Sequence, residues 1–226
     1  ITSIMNLLII DYGSGNIKSV FNSIKFVLER HDIKCNIKVS NSKKDVNESN
    51  LIILPGVGSF KNCKKNILKH FGLYDSLLKN VLIRGKPFLG ICVGMQLLST
   101  IGYENGKELG FGWIEGEVKG LGSKVELKRD KLKIPHIGWN NIKFRSKDYL
   151  FNNINENDQF YFVHSYYFDV KNIDNLLGYV NYGFNLPAVV KRKNIYGLQF
   201  HPEKSGISGQ RIIFNWINNL RLQNER

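Results

Sequence analysis

Apolar residues form short continuous runs in the first half of the chain, and each run ends at a glycine-rich or polar turn. Residues 7–10, 51–54 and 87–91 form such runs, which are typical of strands buried on both faces of a parallel sheet. Residues 33–39 alternate between apolar and polar side chains, as a less buried strand does. Each of these four segments therefore predicts one strand of a sheet.

Helical spacing fills the chain between the predicted strands. Apolar residues three and four positions apart predict an amphipathic helix over residues 16–29, and residues 61–83 predict helices broken near Gly72. Strands that alternate with helices in this way form doubly wound sheets, in which helices cover both faces. We therefore expect an α/β fold built on a mostly parallel sheet.

The pattern changes after Tyr103, where glycines interrupt short strand-like runs. Residues 116–119 and 124–127 predict an inserted antiparallel section, and residues 188–191 and 194–200 predict a hairpin. Residues 134–141 predict a loop that carries polar side chains. The sequence shows no repeats and no linker. We therefore expect a single domain over residues 5–226, with Met5 as the natural start and residues 1–4 ahead of it.

Cys92 lies at the centre of the most informative stretch of the sequence. It follows an apolar run and stands between Gly90 and Gly94, with a predicted helix directly after it that reaches Ile101. The G-x-S-x-G nucleophile elbow has the same strand–turn–helix layout, and its glycines permit close packing. A thiol on such a turn meets exposed amides and the positive end of a helix, which favour its thiolate. We therefore predict a nucleophile rather than an ordinary buried cysteine.

A cysteine nucleophile needs a base, and the base needs a partner that holds its orientation. His201 and Glu203 suit these roles, because side chains two residues apart in an extended segment project to the same side. A Cys, His and Glu set could also bind a metal. However, the sequence lacks the C-x-x-C pair of the zinc deaminases. We therefore expect a Cys92–His201–Glu203 triad, with no metal and no other cofactor.

The formal net charge of +13 raises the question of nucleic-acid binding. The lysines are spread along the chain in short clusters, such as residues 191–193, and the sequence contains neither zinc-finger spacing nor an aromatic–basic RNA-binding motif. We expect a basic surface that attracts an anionic substrate or an acidic partner. Specific recognition of nucleic acid is not expected.

Cysteine usage and hydropathy indicate the cellular setting. The three cysteines Cys35, Cys63 and Cys92 are scattered and odd in number, which argues against a disulfide framework and favours a reducing compartment. No apolar run reaches the length of a membrane span, and the region around Met5 lacks the features of a signal peptide. We therefore expect a cytoplasmic protein that does not enter the membrane.

Several motifs together resemble those of the class I (triad) glutamine amidotransferases. Two of them are GICVGMQL at residues 90–97 and QFHPEKS at residues 199–205. Four further motifs are similar to those of the glutaminase subunits of imidazole glycerol phosphate synthases. They are DYGSGN at residues 11–16, PGVGSF at residues 55–60, PHIGWN at residues 135–140 and FVHSY at residues 162–166. The resemblance extends over most of the chain.

The resemblance implies a reaction and a partner. The chain would hydrolyse L-glutamine to glutamate and ammonia through a cysteinyl thioester. The ammonia would pass to a (β/α)₈-barrel cyclase subunit in a heterodimer. That partner would use it to make imidazole glycerol phosphate and an aminoimidazole carboxamide ribotide in histidine biosynthesis.

The resemblance also implies roles for individual residues. Cys92 would attack the substrate amide, His201 would shuttle protons and Glu203 would orient the histidine. The oxyanion donors would be Val93 and the Val57–Gly58 peptide, of which the second is aimed correctly only when the partner is bound. Gln96, Ser165 and Tyr166 would hold the glutamine, and Asn16, His136, Trp139 and Asn140 would contact the cyclase.

Related glutaminases leave a second partner open. They supply ammonia to a sugar amidotransferase in surface-polysaccharide or glycan biosynthesis, with the same triad and a different acceptor. Two features depart from the pattern expected of a histidine-pathway subunit: the charge of +13 and the bulky segment GFGW at residues 110–113. The sequence contains no acceptor domain, so both partners stay possible.

Overall fold

The structure is a computed structural model that describes residues 4–224. Residues 1–3, which belong to the segment predicted to precede the natural start, lie outside the described residues. The strands are β1 (Met5–Ile10), β2 (Cys35–Ser40), β3 (Leu51–Gly56), β4 (Phe88–Cys92), β5 (Ile101–Gly102), β6 (Glu108–Leu109), β7 (Gly116–Gly120), β8 (His136–Asn141), β9 (Lys143–Phe144), β10 (Gln159–His164), β11 (Tyr166–Val170), β12 (Leu176–Asn181), β13 (Asn185–Arg192) and β14 (Ile195–Leu198). The α-helices are α1 (Ile17–Arg30), α2 (Lys43–Glu48), α3 (Phe60–Lys69), α4 (Leu73–Leu78), α5 (Val93–Gln96), α6 (Val125–Arg129) and α7 (Gly206–Asn224). Short 3₁₀ turns cover Leu121–Ser123, Tyr149–Phe151, Ile173–Asn175 and Pro202–Lys204, and a π-helical turn covers Lys79–Ile83.

The central sheet has eight strands in the order β2-β1-β3-β4-β14-β13-β12-β9. The first five strands of this order pair in parallel, and the other three continue the sheet in antiparallel pairs. The chain moves outward from β1 to β2 and then returns past β1 to β3, so right-handed crossovers place α1 and α2 on opposite faces. Accordingly, α1 packs on α7 and α2 packs on α4. The predicted α/β fold with a mostly parallel sheet is confirmed.

The central strands are the continuous apolar runs of the sequence. Every residue of β3 and β4 is buried, which requires helices on both faces of the sheet. The helix predicted over residues 16–29 is α1. The predicted break near Gly72 separates α3 from α4, and Gly72 adopts the left-handed φ of 70° there. Local pattern therefore located these strands, α1 and the break between α3 and α4 correctly, whereas α2 was not predicted.

The inserted section differs from the prediction in two places. Residues 124–127 do not form a strand, because the helix-favouring residues of this segment form α6 and bury Leu127. Residues 134–141 are not a loop, because β8 pairs with β10 in a two-stranded antiparallel sheet. The predicted strand over residues 116–119 is β7, which belongs to a small mixed sheet of order β11-β7-β5-β6. The predicted hairpin is present as β13 and β14.

The helix after Cys92 is much shorter than predicted. It was expected to reach Ile101, but α5 ends at Gln96 and Ile101 lies in β5. The carbonyl groups of Leu97 and Ser99 accept hydrogen bonds from the amides of Phe111 and Gly112, at 2.7 and 2.8 Å. A segment distant in sequence therefore takes the acceptors that a longer helix would use.

Within residues 4–224, we find no helix with the length and hydropathy that crossing a membrane would require.

Candidate functional site

Three strands of the central sheet bring the predicted site residues together at their carboxyl ends. Cys92 ends β4, and Gly56 lies opposite it at the end of β3. On the other side of β4, Leu198 of β14 lies opposite Ile91, so the chain that follows Leu198 emerges beside Cys92. Ligands of open α/β sheets bind at this edge.

The backbone at Cys92 has the strained conformation of a nucleophile elbow. Its φ of 55° and ψ of −110° are uncommon for a residue with a side chain. The predicted lack of room around the flanking glycines is confirmed. A Cβ on Gly94 would lie 2.0 Å from the carbonyl oxygen of Leu54, and one on Gly90 would lie 2.5 Å from that of Gly94. Close packing of the turn on β3 therefore sets the position of the thiol.

His201 and Glu203 form the predicted pair. The imidazole Nδ1 lies 2.8 Å from Glu203 Oε1, and both side chains are at most 2% exposed. The segment is only partly extended, because a 3₁₀ turn begins at Pro202 directly after His201. The backbone of His201 is held at both ends: its amide donates to the Tyr161 carbonyl at 2.9 Å, and its carbonyl accepts from the Ser205 hydroxyl at 2.6 Å.

The electrostatic environment makes His201 a strong proton acceptor. Burial alone would lower its pKa, but hydrogen bonding and charge interactions with Cys92 and Glu203 raise the pKa to about 10. One carboxylate oxygen of Glu203 accepts from the imidazole, and the other has no hydrogen-bond partner among the described residues. Among the described residues, the carboxylate therefore makes its hydrogen bond to the histidine alone.

A cleft of about 300 Å³ lies in front of this pair. Its lining contains the predicted nucleophile and base, the three residues predicted at the oxyanion hole and the three predicted to bind substrate. They are Cys92 and His201; Val57, Gly58 and Val93; and Gln96, Ser165 and Tyr166. Glu203 is not part of the lining and lies behind His201. The structure thus brings the predicted chemistry into one pocket.

Gln96 and Gln199 form a hydrogen-bonded pair of side chains beside the thiol. The Gln96 amide nitrogen donates to the Tyr166 carbonyl and to Gln199 Oε1, each at 3.1 Å. The Gln199 amide nitrogen in turn lies 3.8 Å from Cys92 Sγ. Gln199 lies in the motif at residues 199–205, but the sequence predicts no role for it. Its position one residue beyond β14, two residues before His201, was the signal available.

The loop after β3 is anchored to two neighbouring elements. The Tyr12 hydroxyl donates to the Pro55 carbonyl at 2.8 Å, and the Cys63 thiol donates to the Val57 carbonyl at 3.4 Å. A trans peptide places its N–H opposite its C=O, so the Gly58 amide points away from Cys63. Gly58 itself has a φ of 97°, which a residue with a side chain adopts only with strain.

Glu104 is a second residue that sequence reasoning missed. It lines the cleft, and its Oε2 accepts a hydrogen bond of 2.7 Å from the first amide of α3, that of Phe60. Glu104 lies in the glycine-punctuated segment after the elbow, where no local pattern distinguishes it. The cleft therefore contains a carboxylate that does not belong to the predicted triad.

The four residues predicted to meet a partner have different environments. Trp139 is 53% exposed on β8, while Asn16, which precedes α1, and Asn140 are half-buried. His136 is 2% exposed, so its ring is not available on the surface of the chain. Any contribution of His136 to a contact must come from its backbone or through its neighbours.

Comparisons with known sequences agree on one family. Residues 8–220 match the family model described as glutamine amidotransferase class-I. A Pelagibacter ubique protein named imidazole glycerol phosphate synthase subunit HisH is 41% identical, and the match covers 95% of this chain and 100% of that protein. The protein of that name from Rhodospirillum rubrum is 39% identical over 94% of this chain and 98% of its own.

Solved structures share the fold at low sequence identity. A glutamine amidotransferase from Thermotoga maritima superimposes with a TM-score of 0.59 at 18% identity, covering 99% of this chain and 87% of that one. Another structure described as a glutamine amidotransferase gives a TM-score of 0.64 at 17% identity, with 96% and 98% coverage.

Proposed function

The chain belongs to the class-I glutamine amidotransferases and, among them, to the HisH subunits of imidazole glycerol phosphate synthase, and from this premise we propose that it hydrolyses L-glutamine to glutamate and ammonia. The observation that carries the proposal is the buried His201–Glu203 pair, whose histidine lines the same cleft as the strained Cys92. This arrangement provides a nucleophile, its base and an orienting carboxylate.

Acylation begins with the proton of the Cys92 thiol on His201, where the raised pKa holds it near pH 7. The sulfur attacks the side-chain amide carbon of glutamine, and the carbonyl oxygen becomes an oxyanion. Backbone amides of Val93 and of the Val57–Gly58 segment would stabilise that charge. The C–N bond then breaks as His201 returns the proton to the leaving nitrogen, which departs as ammonia and leaves a glutamyl thioester on Cys92.

Deacylation uses the same groups in reverse order. A water molecule attacks the thioester carbon while His201 accepts one of its protons. The C–S bond breaks, glutamate leaves, and the proton on His201 restores the thiol. Glu203 keeps the imidazole oriented during both steps, because its carboxylate accepts from Nδ1 and leaves Nε2 for the reacting atoms.

The polar groups of the cleft suit the amino-acid end of glutamine. The carboxylate of Glu104 is placed to pair with the α-ammonium group, since it lines the cleft and keeps one oxygen outside its bond to α3. Gln96, Ser165 and Tyr166 would bind the remaining polar atoms. A charged contact of this kind selects free glutamine over glutamine within a peptide.

We further propose that the ammonia is delivered to a (β/α)₈-barrel cyclase subunit in histidine biosynthesis, as the names of the relatives suggest. Trp139, Asn140 and Asn16 would form the contact surface, and Trp139 is the large exposed aromatic among them. All three cysteines are free thiols, which fits a reducing cytoplasm.

The bulky GFGW segment does not favour a sugar-amidating partner. Phe111 and Trp113 are 8% and 1% exposed and pack against each other in a tilted arrangement with ring centroids 5.1 Å apart. The segment is therefore part of the core and lies outside the lining of the cleft. The bulk of this segment therefore fills the core, and it gives no information about which partner accepts the ammonia.

Release of glutamate from glutamine tests this function. The purified chain should be slow alone and strongly stimulated by a barrel cyclase with its ribonucleotide ligand. Cys92→Ala should lower the stimulated rate by at least about 10³-fold, since the nucleophile is lost. Cys35→Ala, which removes a thiol on β2 outside the site, should retain the rate. Undiminished hydrolysis in Cys92→Ala would refute the proposal.

A further inference from the structure

A buried pair of histidines lies directly beside the proposed glutamine site. His136 Nδ1 is 3.0 Å from His164 Nε2, and His164 Nδ1 is 2.8 Å from the Tyr166 carbonyl oxygen. The two residues face each other across the β8–β10 pair. Neither belongs to the reaction cycle described above, although His164 lines the cleft.

The direction of each hydrogen bond in this pair follows from its last acceptor. A carbonyl oxygen only accepts, so His164 must carry a proton on Nδ1 and donate it to Tyr166. Burial lowers the pKa of His164 to about 3 and that of His136 to about 4, so both rings are neutral near pH 7. His164 Nε2 therefore accepts, and His136 must be the Nδ1-protonated tautomer that donates to it.

The hydrogen bonds from His136 through His164 end on the Tyr166 carbonyl oxygen, which also positions Gln96. The Tyr166 carbonyl accepts from His164 and also from the Gln96 amide nitrogen. Gln96 is bonded in turn to Gln199, whose amide lies beside the Cys92 thiol. A shift of the Tyr166 carbonyl would therefore move Gln96 within the cleft.

His136 is itself held firmly enough to act as an anchor. Its ring is 2% exposed and stacks between Phe162 and Tyr182, with centroid distances of 4.9 and 4.1 Å. Its neighbours on β8 point outward, with Ile137 and Trp139 more than half exposed. His136 therefore connects strand β8, through His164 and the Tyr166 carbonyl, to the Gln96 side chain in the cleft.

We propose that His136 is a positioning residue for glutamine binding, which acts through His164 and the Tyr166 carbonyl to fix the Gln96 amide. The proposal rests on the glutaminase function and deepens it. His136 touches neither substrate nor nucleophile. Its loss should consequently weaken substrate binding. The reactivity of the thiol should stay unchanged, because the elbow glycines and the His201–Glu203 pair hold the Cys92 environment independently of Gln96.

Two substitutions separate the hydrogen bond from the packing. His136→Phe keeps an aromatic ring between Phe162 and Tyr182 but has no donor. His136→Asn loses the ring but places an amide N–H near the position of Nδ1. Loss of one hydrogen bond that orders the site predicts a KM for glutamine about 10-fold higher in His136→Phe, with kcat within about 2-fold of wild type. His136→Asn should restore most of the KM.

The assay uses the chain together with the cyclase partner, and alkylation of Cys92 by iodoacetamide serves as a readout that does not need glutamine. The alkylation rate of His136→Phe should match that of wild type. An unchanged KM, a fall in kcat alone, or equal impairment of the Phe and Asn variants would overturn the proposal. A wild-type protein that fails to hydrolyse glutamine would instead overturn the function.

Imidazole ¹⁵N NMR of the wild-type chain tests the same network without a substitution, and so covers a variant that does not fold. At pH 7 we expect His136 and His164 both neutral and both protonated on Nδ1. An Nε2-protonated His136, or a doubly protonated ring at either position, would overturn the proposal.

Discussion

Replacing Gly94 by alanine should damage both stability and catalysis, because a side chain on this glycine would collide with the backbone of the central sheet. A Cβ at this position would lie 2.0 Å from the carbonyl oxygen of Leu54 and 3.1 Å from its carbonyl carbon. Both are backbone atoms of β3, a completely buried strand. Neither can rotate away, so the elbow and the strand must separate.

The size of the effect follows from two opposed contributions. Overpacking a core costs about 1–3 kcal/mol, and a backbone clash this close belongs at the upper end, about 3 kcal/mol. Alanine favours a helical position over glycine by about 1 kcal/mol, which offsets part of the loss in α5. The free energy of unfolding should therefore fall by about 2 kcal/mol, or about 4–8 °C in Tm for a chain of this size.

The catalytic loss has a separate origin. Relief of the clash requires a movement of about 1 Å next to the nucleophile, and a misplacement of that size costs about 10²-fold in rate. Thermal unfolding and glutamine hydrolysis with the cyclase partner measure the two effects. Gly122→Ala is the matched control, since its Cβ would meet only Ile134 Cδ1 at 3.7 Å. A Gly94→Ala protein with wild-type Tm and activity within 2-fold would refute this reasoning.

Three further measurements follow from the shifted pKa values of individual side chains. Burial lowers the pKa of His201, but Cys92 and Glu203 raise it to about 10. In Glu203→Gln, the pKa of His201 measured by NMR should therefore be lower, and kcat should fall by about 10²–10⁴-fold. An unchanged pKa of His201 in this variant would contradict the assigned pair. Burial lowers the pKa of His164 from 6.5 to about 3, so the unfolded state binds the extra proton between these values. Stability should therefore be lost as the pH falls below about 6.5, at up to about 1.4 kcal/mol per unit in urea melts, with a shallower slope in His164→Gln; equal slopes would argue against this. Burial raises the pKa of the Cys35 thiol to about 11, so iodoacetamide at pH 8 should label Cys92 first by mass spectrometry, and the reverse order would contradict the assignment.

Sequence patterns predicted the parts of the fold that depend on residues close together in the sequence. The runs at residues 51–54 and 87–91 are strands because each is apolar enough to be buried on both faces. The elbow was recognisable because Gly90 and Gly94 flank Cys92 at the spacing that close packing demands. The His201–Glu203 pair was recognisable because its two members are neighbours in sequence.

Features created by distant segments were predicted poorly. The helix after Cys92 was expected to reach Ile101, but Phe111 and Gly112 take the carbonyl groups it would need. Strand β8 was interpreted as a loop because its partner β10 begins well over a dozen residues later. Glu104 and the role of Gln199 were missed for the same reason, since tertiary packing alone brings Glu104 to the cleft and Gln199 to the Cys92 thiol.

The proposed triad depends on one such distant pairing. Cys92 and His201 are separated by more than a hundred residues, and β14 brings them together by pairing in parallel with β4, with Leu198 opposite Ile91. Parallel pairing places both carboxyl ends at the same edge, so the residues after Leu198 must emerge beside Cys92. A register shift of one residue would move Gln199 away from the thiol and turn alternate side chains of β14 to the other face. Gly197 explains why the register stays in place, since a Cβ there would lie 2.7 Å from Met95 and 2.8 Å from Val190. The glycines of the elbow and of β14 thus determine together where Cys92 and His201 lie relative to each other.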